Sequence, residues 1–163
     1  VGFVLSFWVI ALYWMLHRRV FIHLAAHERG VVVLTLLFLQ FVAFIPYATK
    51  LFTNYPNRFG VSVLAGVLAT AGFSLALLWG YASRRNLVEE GLSSRAVAIQ
   101  GLRFIASPVV FVGSILVAVV DPTLAVLSWF LLVPINAVLQ SRLVDVMVPE
   151  ESVPEDAGAS AER

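Results

Sequence analysis

Five stretches of this chain contain no acidic side chain, lysine or arginine: Val1 to His17, Gly30 to Thr49, Phe59 to Ser83, Phe104 to Val120 and Pro122 to Ser141. A helix needs roughly 20 residues to cross a hydrocarbon core about 30 Å thick. Four of the runs meet that need, and the first does so if its helix starts slightly upstream. In lipid every backbone amide must be satisfied within its own segment, and these runs are too long and too uniformly apolar for the alternating strands of an outer-membrane barrel. The pattern predicts an all-α polytopic membrane helical bundle with spans at about 1–20, 30–51, 60–82, 103–120 and 123–141.

Composition agrees. The chain is 60% hydrophobic and 13% charged, with a mean hydropathy of +0.91, whereas soluble domains carry about 25% charged residues. There is no cysteine, which removes disulfides and thiolate metal sites. The net charge of +1 is unevenly spread. Glu150, Glu151, Glu155, Asp156 and Glu162 outweigh Arg163 at the C-terminal end, leaving a basic body that suits anionic lipid.

Lysine and arginine collect in short cytoplasmic loops. With the first span entering from outside, Arg18, Arg19, Arg29, Arg84, Arg85, Arg95, Arg103, Arg142 and Arg163 fall inside, and Lys50 and Arg58 fall outside. An odd number of spans with an outside start, together with Val1 in place of methionine, predicts a preceding helix.

The links are short, which predicts that consecutive spans are antiparallel neighbours: Phe21 to Gly30, the turn-rich "NYPNRFG" from Asn54 to Gly60, a longer link from Arg84 to Arg103, and Asp121-Pro122. None holds a Gly-rich phosphate loop or a carbonyl-filter segment. Residues 1–148 read as one transmembrane domain, and 149–163 as a disordered acidic cytoplasmic tail.

No span interior carries a charged residue, so a proton relay or an intramembrane catalytic pair has no candidate here. Neither a Gly-x-Ser-x-Gly elbow nor a His-Glu-x-x-His motif is present. The chain is read as no enzyme, with no cofactor and no nucleic-acid partner. His23 and His27 share a helical face in "HLAAHE" and could ligate a metal, but the ordinary reading is a solvated helix end without a third ligand.

Gln40, Asn136 and Gln140 read as interhelical hydrogen-bonding groups. Pro46, Pro108 and Pro134 would each bend a span or mark its end. Ser62, Gly66, Thr70 and Ser74 form a ridge of small residues at i, i+4 spacing, the pattern that lets two helix backbones approach within or between subunits. Trp79, Tyr81, Tyr47 and Tyr55 read as interfacial belt residues. Tyr13, Trp14, His17 and Phe21 lie along one stripe of the first helix, ahead of an anchor made by Arg18 and Arg19. The Trp14 indole and a His17 ring nitrogen need partners if buried, and the sequence offers no obvious one.

These residues resemble the prokaryotic relatives of transmembrane protein 175, a potassium channel family whose unit has six spans. The likeness runs from "SFWVIALYWMLHRRVF" through "FVAFIPYATKLF" and "LALLWGYA" to "SPVVFVGSILVAVVDPTLAVLSWFLLVP". Its most specific elements are the Tyr-Trp-x-x-His pattern at Tyr13, Trp14 and His17 and the Pro-aromatic-x-Thr pattern at Pro46, Tyr47 and Thr49. Thr35 departs from it, since relatives often carry asparagine there.

The resemblance implies that the five spans correspond to the family's second to sixth. The family's first helix, which carries a Phe-Ser-Asp motif and lines the pore with bulky aliphatic side chains, has no counterpart in this sequence. It further implies that Trp14 and His17 hydrogen-bond to that helix and anchor it. By the same resemblance, the unit forms homotetramers conducting potassium ions passively through a prokaryotic plasma membrane. A secondary-transporter fragment and a non-conducting scaffold are the alternatives. The first would show inverted repeats with a polar midplane site, and none is visible.

Overall fold

The computed structural model describes residues 2–24, 28–88 and 93–147. His27 and the tail 149–163 therefore lie outside the described residues, and with them the His23–His27 pair and the reading of the tail. Among the described residues the chain is helical: α1 (Gly2–Ile22), α2 (Arg29–Asn54), α3 (Arg58–Arg84), α4 (Ser94–Val120), α5 (Pro122–Ser128), a 3-10 turn (Trp129–Leu131) and α6 (Leu132–Met147). Four long helices and the α5–α6 unit are each long and apolar enough to cross a membrane.

Local chemistry sets the helix ends. Asn57 opens α3, its side-chain oxygen accepting from the amides of Phe59 and Gly60 at 3.0 and 3.1 Å. Ser93 opens α4 by accepting from Ala96 N–H at 3.2 Å. Asp121 opens α5 by accepting from Thr123 and Leu124 at 2.6 and 3.2 Å, with Pro122 in the first turn, where its missing donor costs nothing. The α3 end is closed by Asn86 in the left-handed region, φ 54°, while Leu87 N–H donates back to Ala82 C=O at 3.0 Å.

The fourth helix starts at Ser94, well before the expected span, so the link expected from Arg84 to Arg103 is shorter than the sequence implied. Its extra turns form because Ala96, Gln100 and Phe104 continue the buried stripe of Pro108, Phe111, Ser114 and Ala118. The last span is broken by the 3-10 turn. Pro134 has no amide to offer Phe130 C=O, and the chain tightens there before resuming as α6. Pro46 and Pro108 lie inside unbroken α2 and α4.

The helix α3 is central. It packs on α2 along one side and α4 along the other, while α1 leans on α2 and the α5–α6 unit leans on α4. One apolar core joins α1 to α4 through Val20, Phe38, Ile45, Leu64, Leu75 and Leu78, and a smaller one at the far end joins Val61, Ala118 and Ala125. A single antiparallel bridge between Leu24 and Val88 brings the link after α1 and the link after α3 to the same end of the bundle. The outer faces stay apolar: Phe3, Phe7, Trp8, Leu116, Val120 and Phe130 are all exposed, as helices need in contact with lipid.

Candidate functional site

The buried face of α1 consists of Ser6, Tyr13, His17 and Val20. Tyr13 reaches across the bundle and donates its hydroxyl proton to Leu68 C=O of α3, and its ring meets Phe38 at 6.1 Å. One turn on, His17 is 8% exposed and lies flat on Phe38, with centroids 5.1 Å apart and planes 6° from parallel. Phe21 meets the imidazole at 4.5 Å. His17 Nε2 is buried and has no hydrogen-bond partner among the described residues.

Trp14 does not share that burial. It is 61% exposed, with its ring stacked at 5.9 Å on His17. The stripe expected to hold Tyr13, Trp14, His17 and Phe21 is therefore split: Tyr13 and His17 turn inward, and Trp14 flanks them on the outer surface. Two further hydroxyl oxygens, those of Thr35 and Thr49, are buried without a partner among the described residues.

The small-residue ridge on α3 is half-buried at Ser62, Gly66 and Thr70 and buried at Ser74. Thr70 and Ser74 donate to carbonyls of their own helix, Gly66 C=O at 2.7 Å and Thr70 C=O at 2.8 Å. A Cβ at Gly66 would meet nothing within 4 Å, so no tight helix approach lies there. The tight approach of α3 to α4 is at Gly72, where a Cβ would stand 3.0 Å from Pro108 Cδ. That pairing has no signature in the residue pattern.

Other polar groups also differ from expectation. Asn136 donates to Leu132 C=O of its own helix at 2.9 Å, and Gln40 and Gln140 are exposed. Besides the Tyr13 bond to Leu68, interhelical bonds come from indoles: Trp79 Nε1 donates to Val97 C=O at 3.1 Å, and Trp129 Nε1 to Ser114 Oγ at 3.0 Å. Trp79 is thus a buried core residue at 3% exposure, not a belt residue, because Val97 satisfies its N–H while Phe104 meets its ring at 5.7 Å. No cluster of metal-ligating side chains occurs among the described residues.

Long apolar helices and lipid-compatible outer faces define a multi-pass α-helical membrane protein. Residues 1–46, which contain the Tyr13–His17 cluster and Phe38, match the family model described as endosomal/lysosomal potassium channel TMEM175. A protein of Streptomyces collinus named as a potassium channel is 27% identical over 109 residues, covering 63% of this chain and 53% of that relative. The chain thus spans about half the length of the curated relative it matches. No solved structure matches it. The matched family model is that of the family which the Tyr-Trp-x-x-His pattern resembles.

Proposed function

We propose that this chain provides the scaffold spans of a potassium-favouring cation channel, assembled as a homotetramer in a prokaryotic plasma membrane and conducting passively. The observation that carries the reading is His17: a buried ring nitrogen without a partner among the described residues, beside an exposed Trp14, on the segment that matches the channel family. An unpaired polar atom in a buried setting costs about 1–3 kcal/mol, so such an atom is retained where another element completes it. In this reading Trp14 and His17 anchor the pore-lining helix of the family. Ser62, Gly66, Thr70 and Ser74 serve as a packing ridge between subunits, where cyclic symmetry lets one ridge serve every interface.

The five long runs without acid, lysine or arginine fit a passive path, in which an apolar constriction gates by excluding water. The test is reconstitution of the full-length protein in liposomes, with reversal potentials measured in opposed potassium and sodium gradients. A potassium-favouring current is expected, and the absence of any cation current would sink the proposal.

A further inference from the structure

The arginine-rich ends of α2 and α3 frame a cavity of about 440 Å³ lined by Leu34, Leu77, Tyr81, Arg84 and Arg85. Leu77, Tyr81 and Arg84 are spaced i, i+4, i+7 and so share one face of α3. Leu77 precedes the two arginines along α3 and supplies the apolar floor below them.

The polar rim is built rather than incidental. Tyr81 donates its hydroxyl proton to Glu28 Oε2 at 3.2 Å, and the Arg85 guanidinium carbon stands 5.7 Å from the Tyr81 ring centre. Gly30 offers no Cβ, which leaves room for the tip of the Tyr81 ring against the first turn of α2. Arg84 folds back along its own helix, with Nη1 3.6 Å from where a Cβ on Gly80 would stand. Both arginines are exposed, and neither has a carboxylate partner among the described residues. Among the described residues, Glu28 brings one negative charge to the rim against two guanidinium groups.

We infer that this cavity seats one anionic glycerophospholipid of the cytoplasmic leaflet, its phosphate held by Arg84 and Arg85 and an acyl chain lying on Leu77 and Leu34. Guanidinium forks match phosphate oxygens, and basic pockets between spans on the cytoplasmic side bind anionic headgroups. A soluble anion would gain nothing from the two leucines, and Leu77, 59% exposed, belongs to the surface that lipid covers. The assignment depends on the membrane orientation set by the arginines and is independent of ion conduction.

The test is native mass spectrometry of the full chain released from micelles containing phosphatidylglycerol or phosphatidylcholine of equal chain length. One phosphatidylglycerol per chain should be retained in preference to phosphatidylcholine. The double substitution Arg84→Gln/Arg85→Gln should weaken that retention roughly tenfold or more. Arg18→Gln/Arg19→Gln, which removes equal charge from the same membrane face, should leave it intact. Equal losses in both double variants would reduce the effect to diffuse surface attraction and overturn the site, as would no loss at Arg84 and Arg85. Displacement of phosphatidylglycerol by millimolar inorganic phosphate would overturn the lipid as occupant.

Discussion

The His17 imidazole and the Phe38 ring lie face to face, centroids 5.1 Å apart and planes 6° from parallel. The stack joins α1 to α2 and holds the imidazole so that Nε2 is buried without a bond among the described residues. Packing and polarity therefore pull in opposite directions at this one residue, and substitutions can separate them.

In this chain alone, His17→Phe should preserve or raise thermal stability in micelles, because the ring contact survives and an unpaired nitrogen costing about 1–3 kcal/mol is removed. His17→Ala should lose about 2–4 kcal/mol through the cavity it opens beside Phe38 and Phe21. On the proposed channel reading, His17→Ala in the assembled protein should disturb assembly or opening more than ion preference. Unchanged oligomer stability and gating in that variant would refute the anchoring role.

Gly66 and Gly72 lie on the same helix but differ in what a side chain would meet. Gly72→Ala drives a methyl group onto Pro108 and should destabilise the bundle by about 1–3 kcal/mol, read as a lowered melting temperature. Gly66→Leu should leave the melting temperature of the dissociated subunit unchanged, since its surroundings are open. If the ridge joins subunits, the same substitution lowers the oligomer fraction measured by light scattering. A fully assembled Gly66→Leu variant would remove the ridge from the interface.

Trp129 ties the 3-10 turn to α4 through its bond to Ser114, and its ring meets Phe111 edge-on at 5.6 Å. Trp129→Phe should cost only about 1 kcal/mol, because Ser114 still donates to Phe111 C=O. Trp129→Ala should cost about 3–5 kcal/mol. Similar losses from both, measured by thermal unfolding, would place the energy in the hydrogen bond and not in the ring.

Asp121 has its carboxyl held below its ordinary value of 3.8 by the amides of Leu124 and Thr123, which bond the charged form. A lowered folded-state value means that the cap stabilises above the unfolded value and is lost as pH falls through the folded one. Wild-type stability should therefore lose this contribution only in acid, below the ordinary value. Asp121→Asn, which keeps a capping oxygen without a charge, should remove that part of the pH dependence. An identical acid profile in the variant would show that Asp121 does not contribute.

The spans could be read from the sequence because Arg18, Arg29, Lys50, Arg58, Arg84, Arg103 and Asp121 interrupt long apolar runs, and charge is costly in lipid. The early start of α4 was hidden because Arg95, Gln100 and Arg103 look like a link, whereas Gln100 is buried on the same stripe as Phe104. Trp79 was misread because an indole near a span end usually marks the interface, and only the fold reveals Val97 C=O beside it. The Tyr13–His17 cluster was visible as a pattern. Which of its members turn inward depends on Phe38 and Leu68, residues far along the chain.

The notch at Gly30 has an evolutionary consequence. A methyl group at position 30 would displace the Tyr81 ring from its place beside Glu28, so the two positions, fifty-one residues apart in the chain, are not free to drift separately. Lineages that keep tyrosine at 81 should keep glycine at 30, and those that lose one should show compensating change at the other. That covariation would be detectable by comparing sequences alone, with no structure in hand.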